Sequence, residues 1–183
     1  MTACQHLRPI LTLVTVWMAL TAMAALGQST RPEVFGQFGV TRIGEDEGSV
    51  GSGPTFGGAV TVPFARRWAV DVAVNTTTAE RQIGGSNLES SSTFLLPAVV
   101  YRRGTEKAHF FIGGGPGVEF TNRRLEEISR RVFDTNDHGG LLHWRTGFVA
   151  SVSSRVLVRF DVLLAHRFVL PSIGATGGIG YRF

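Results

Sequence analysis

Lysine and cysteine are almost absent from this sequence. Its 183 residues include one lysine, Lys107, and one cysteine, Cys4. A lone thiol forms no intrachain disulfide and no cysteine-based zinc site. Charged residues make up 17% of the chain, against roughly a quarter in soluble domains, so a water-facing surface lacks its usual Lys and Glu. No stretch beyond residue 27 is apolar for the roughly 18 residues that a transmembrane helix needs. Disorder is excluded as well, because 43% of residues are hydrophobic and disorder goes with low hydrophobicity. What is abundant is glycine and phenylalanine, 23 and 13 residues. The net charge is +4, but the arginines are scattered and stack on no single element, which points away from nucleic acid. A membrane surface with anionic headgroups fits this charge better.

The first 27 residues read as a secretory signal. His6 and Arg8 precede an apolar run from Ile10 to Leu20, and small residues around Ala25 and Gly27 suit cleavage before Gln28. Thr12, Thr15 and Thr21 interrupt the run, which weighs against the alternative of a membrane anchor. Residues 28–183 then form one domain.

That domain alternates with a period of two. Trp68, Val70, Val72 and Val74 are interleaved with Ala69, Asp71, Ala73 and Asn75, the pattern of a strand with one apolar and one polar face. Similar segments run from Thr55 to Phe64, His109 to Phe120, Leu142 to Ser151, Val156 to Leu164 and Ile173 to Phe183. Weaker ones, at Glu33 to Ile43 and Thr93 to Tyr101, complete eight strands. Strands of about 11 residues cross a bilayer when tilted. The connections at 65–67, 102–107 and 152–154 are short, whereas 44–54, 78–92 and 121–139 are long and 166–171 is intermediate. This asymmetry is expected of a transmembrane β-barrel, with tight periplasmic turns and longer outer loops.

A soluble lipocalin-like barrel that binds lipid would show the same period with its faces exchanged. Side-chain size separates the two. The polar face carries Gly, Ala, Ser, Thr and a few Arg and Asp, small enough for the interior of a narrow barrel, while the bulky Trp, Phe, Val and Leu occupy the other face. The expected fold is therefore an all-β, eight-stranded, antiparallel up-and-down transmembrane β-barrel.

The last eight residues, TGGIGYRF, place Thr176, Gly178, Tyr181 and Phe183 in an order that resembles the C-terminal assembly signal of bacterial outer-membrane barrels. Residues 33–183 as a pattern resemble small eight-stranded proteins of the OmpA, OmpX and OmpW kind. The resemblance implies location in the bacterial outer membrane, recognition by the barrel assembly machinery, contact with outer-membrane lipids and lipopolysaccharide, and a monomer without cofactor.

Asp71, Glu119, Arg145, Arg159, Asp161 and Arg182 fall on polar faces and are expected to form an interior charge network. Paired, they would close the lumen; as the lining of a pore, they would serve a narrow channel for small solutes. The first reading is preferred because eight strands leave room for side chains rather than water. Catalysis finds little support. The His-x-Ser-Asn element of outer-membrane deacylases is missing, since His109, His138, His143 and His166 are followed two positions later by Phe111, Gly140, Arg145 and Phe168. A cross-strand meeting of His143 with Ser151 or another serine stays open. Glu45, Asp46 and Glu47 lack the spacing of a calcium loop. In the longest connection, Arg123, Arg124, Arg130 and Arg131 flank Leu125 and Ile128 at helical spacing. The spacing allows a short outer helix, and the segment is read either as a solvated loop with internal ion pairs or as a contact for lipopolysaccharide phosphates.

Overall fold

The structure is a computed structural model that describes residues 31–45, 48–83, 86–126, 132–167 and 170–183. The expected signal peptide therefore lies outside the described residues. The strands are β1 (Glu33–Glu45), β2 (Gly48–Ala65), β3 (Trp68–Ile83), β4 (Ser86–Gly104), β5 (Ala108–Glu126), β6 (Val132–Ser151), β7 (Val156–His166) and β8 (Ser172–Arg182). Each pairs antiparallel with the next, and β8 returns to β1 from Glu33↔Arg182 to Arg42↔Ile173. The result is a closed barrel, an arrangement that leaves no sheet edge where each strand has partners on both sides. The seam is tied beyond the strands, where the Phe183 N–H donates to the Pro32 carbonyl at 3.1 Å.

The pleat sends the two faces where their sizes allow. Ala69, Asp71, Ala73 and Asn75 are buried inside, whereas Trp68, Val70 and Val74 are exposed outside. On β7, Leu157, Arg159, Asp161, Leu163 and Ala165 point inward, and Val156, Val158, Phe160, Val162 and Leu164 outward. The outward residues form an apolar band around the barrel. At its short-turn end, aromatic pairs thicken the band: Trp68 with Tyr101 at 5.3 Å, Phe110 with Phe148 at 5.0 Å, and Tyr181 with Phe183 at 5.2 Å between centroids. No helix among the described residues is long and apolar enough to cross a membrane; this chain presents its apolar surface on strands.

Two expectations need correction. The strands are not uniformly about 11 residues long: β2 to β6 span 18, 16, 19, 19 and 20 residues. The supposed long loops are mostly continuations of the hairpins. Beyond the apolar band both faces carry hydroxyl residues, so the alternation fades while the ladder continues. Inside, Thr55 bonds to Thr41 at 2.8 Å and to Thr77 at 2.7 Å, and Ser92 meets Thr121 at 3.0 Å. Outside, Thr76 meets Thr93 at 3.0 Å.

The second correction concerns Arg123 to Glu126, the described part of the segment from Arg123 to Arg131. Arg123, Arg124, Leu125 and Glu126 pair with Thr135, Asp134, Phe133 and Val132, so they extend β5 instead of opening a helix. A helix of two turns is marginal in water, whereas each residue added to a registered hairpin gains ladder bonds.

The weak alternation of β4 also has a structural cause. Phe94, Leu96, Ala98 and Val100 are buried inside, so this strand is apolar on both faces. Between Leu95↔Val118 and Val99↔Gly114 the β4–β5 ladder is interrupted. This stretch contains Pro97 and Pro116, neither of which has an N–H to donate.

Candidate functional site

The six interior charges of the sequence reading do not form one network. Four of them converge near the middle of the barrel, and two belong to separate groups at its ends. In the middle, the Arg145 guanidinium reaches Asp71 at 2.5 Å and Asp161 at 2.8 Å. Arg159 reaches the same two carboxylates, each at 2.8 Å. Two guanidiniums and two carboxylates thus alternate in a neutral ring contributed by β3, β6 and β7. Asp71, Arg145, Arg159 and Asp161 are 1%, 2%, 4% and 2% exposed.

Polar neighbours complete the ring. Thr61 from β2 donates to Asp71, and Gln37 from β1 donates to Asp161. The Arg159 guanidinium also lies between two aromatic rings, 4.4 Å from the Phe111 centroid and 5.1 Å from that of Phe35. Glycine makes room for both rings. A Cβ on Gly147 would meet the Phe111 ring at 2.7 Å, and one on Gly180 would run into the Phe35 ring. Buried charges persist when geometry and additional hydrogen bonds compensate for lost water, and this ring supplies both.

Arg182 does not reach Asp71. It bonds instead to Glu33 at 2.7 Å, and Arg102 joins the same carboxylate at 3.5 Å. Arg102 also donates to the His109 ring at 3.1 Å. The cavity beside this group, between Glu33, Arg102, His109 and Arg159, holds about 10 Å³, no more than one water requires. Glu119 lies toward the other end, where Arg167 sits 3.6 Å from it and 2.8 Å from Asp137. Glu33, Arg102, Arg167, Asp137, Gln37 and Thr61 were not among the predicted site residues. Glu33 was legible as the first polar-face position of β1, but Arg102 and Arg167 fell in segments read as connections.

His143 and Ser151 stay apart. His143 points into the barrel, whereas Ser151 lies at the turn end of the same strand and donates to the Glu106 carbonyl at 3.2 Å. Among the described residues, neither ring nitrogen of His143 has a hydrogen-bond partner, and no three His, Asp or Glu side chains gather as a metal site. The arginines of the long hairpin separate too. Arg123 lies on the inward face of β5 and Arg124 is exposed outside, while Arg130 and Arg131 lie outside the described residues. Of the C-terminal residues, Thr176 is buried inside, and Tyr181 and Phe183 are exposed outside.

A closed eight-stranded antiparallel wall, apolar outside and packed with charge inside, defines the small outer-membrane type of β-barrel. No protein-family model and no curated protein matches the sequence. Solved structures match the fold. The attachment invasion locus protein Ail of Yersinia pestis, solved with the heparin analogue sucrose octasulfate, aligns over 85% of this chain and 100% of its own, with 13% identity and a TM-score of 0.65. A major outer-membrane protein of Thermus thermophilus aligns over the same shares with 10% identity and a TM-score of 0.64. Neisserial surface protein A covers 85% and 100%, with 10% identity and a TM-score of 0.58. This chain has the eight-stranded barrel fold of those outer-membrane proteins.

Proposed function

We propose that the protein is an integral outer-membrane barrel with a closed lumen, acting through its outer hairpins as a structural or surface-interaction protein and not as an enzyme. The observation that carries the surface role is the uneven height of the wall. β6 pairs with β5 along its whole length, from Val132 to Ala150, but with β7 only from Leu142 onward. Among the described residues, Val132 to Leu141 therefore pair on one side alone. An open strand edge offers backbone donors and acceptors to an extended segment of another chain. The interior ion pairs support closure. The attachment role named for Ail, at 13% identity, agrees with this reading and belongs to that protein. On this reading the exposed Arg124 faces lipopolysaccharide phosphates and Arg123 serves the interior; Arg130 and Arg131, assigned to the same contact from the sequence, lie outside the described residues.

Planar-bilayer recording of the folded protein tests closure. No steady conductance is expected, and a stable open level would favour the narrow channel. Carbonate washing tests insertion, because a secreted lipid-binding barrel would be released.

We also assign Thr176, Gly178, Tyr181 and Phe183 to recognition by the assembly machinery. Deleting Phe183 removes the terminal aromatic and the seam bond to Pro32. The truncated chain is expected to accumulate unassembled in the periplasm, read by fractionation and by loss of detergent resistance. Normal insertion of that chain would refute the assignment.

A further inference from the structure

The short-turn end of the barrel carries a charge excess that the interior network does not use. The three turns there contain Arg66, Arg67, Lys107 and Arg155, and Arg103 stands at the adjoining end of β4; all five are exposed. Glu106 is the single acidic side chain among these turns. Arg102 and Arg182 at the same end are half-buried and turn inward to share Glu33, so they lie behind this outer surface.

Two of the exposed arginines are fixed to the apolar band. Arg67 donates to the Tyr101 hydroxyl at 3.3 Å, and Arg155 to the Tyr181 hydroxyl at 3.0 Å. Tyr101 packs edge-on against Trp68, and Tyr181 against Phe183. Tyr and Trp mark the level where hydrocarbon gives way to headgroups. An arginine bonded to such a tyrosine is held at that level, beside the band, and does not project toward a distant soluble partner.

We propose that this collar binds the phosphate headgroups of anionic phospholipids in the leaflet facing the short turns. Guanidinium forks match phosphate oxygens in pairs, and basic side chains at a bilayer surface attract anionic lipid. The leaflet assignment rests on the outer-membrane reading above, in which short turns are periplasmic. The collar would fix the depth and tilt of the barrel from the side opposite its tall hairpins.

The test uses the full folded chain in phosphatidylcholine vesicles doped with spin-labelled phosphatidylglycerol or phosphatidylcholine. The immobilised fraction of each label gives their relative association. The wild type is expected to favour phosphatidylglycerol on the order of fivefold, and to lose the preference in high salt. In the triple variant R66Q/R67Q/R155Q the ratio should fall to about one. In R42Q/R81Q, which alters exposed arginines at the other end, it should be unchanged. If the triple variant folds poorly, R67Q and R155Q are read singly, and each should lower the ratio. A wild-type ratio of one in a protein that resists carbonate overturns the collar alone; release by carbonate overturns the membrane reading itself. A preference that survives the triple variant, or is lost in R42Q/R81Q instead, overturns the collar. So does wild type without lipid preference that still binds soluble heparin through these arginines, which would assign the surface to a soluble polyanion.

Discussion

Asp71→Ala is expected to destabilise the barrel by about 3–5 kcal/mol, the cost of leaving a desolvated charge without its partner. Asp71 accepts from both Arg145 and Arg159, so its removal leaves two guanidiniums sharing Asp161 and an interior with one excess positive charge. Asp161→Ala should cost a similar amount, for the same reason. The double variant Asp71→Ala/Arg145→Met restores neutrality and should recover part of the loss, since uncharged replacements of buried ion pairs are often tolerated. Urea unfolding in detergent or lipid, read as a double-mutant cycle, measures the coupling directly. A loss below about 1 kcal/mol for Asp71→Ala would mean that water reaches the ring. The closed lumen would then give way to the channel reading.

The strands with one apolar and one polar face were legible because period-two alternation is imposed by the pleat itself. β3 and β7 show this cleanly, and the size of their side chains also told inside from outside. β4 was harder to read because Phe94, Leu96, Ala98 and Val100 fill the interior while its outer face is apolar as well. The hairpin extensions were hidden for the opposite reason: Thr76, Thr77 and Thr78, like Ser90, Ser91 and Ser92, put hydroxyls on both faces. The sequence pattern located the four charges of the central ring on interior faces, yet it could not choose their partners. Partner choice depends on stagger, which brings Asp71 on β3 to Arg159 on β7 across the lumen and carries Arg182 to Glu33. That stagger is a property of barrel closure, written in no single strand.

The outer face yields the second large effect. Phe160 is the central member of the five outward apolar residues of β7 and is 53% exposed. Exposure of a large ring at that point is costly in water and neutral in hydrocarbon. Phe160→Arg is therefore expected to destabilise the folded, inserted barrel by about 2–4 kcal/mol, the penalty for arginine on the lipid face near the bilayer midplane. Val72→Arg, among the outward valines of β3, should behave alike. Glu80→Arg provides the contrast. Glu80 is also exposed on β3, but it lies past the apolar band among hydroxyl residues, so its replacement should stay within roughly 0.5 kcal/mol. Ala73→Arg should be destabilising for a different reason, because Ala73 is fully buried inside and a long side chain would overpack the filled interior. Unfolding in lipid vesicles ranks the four variants. Free tolerance of arginine at both Phe160 and Val72 would mean that this band meets water, and the outer-membrane reading would fall with it.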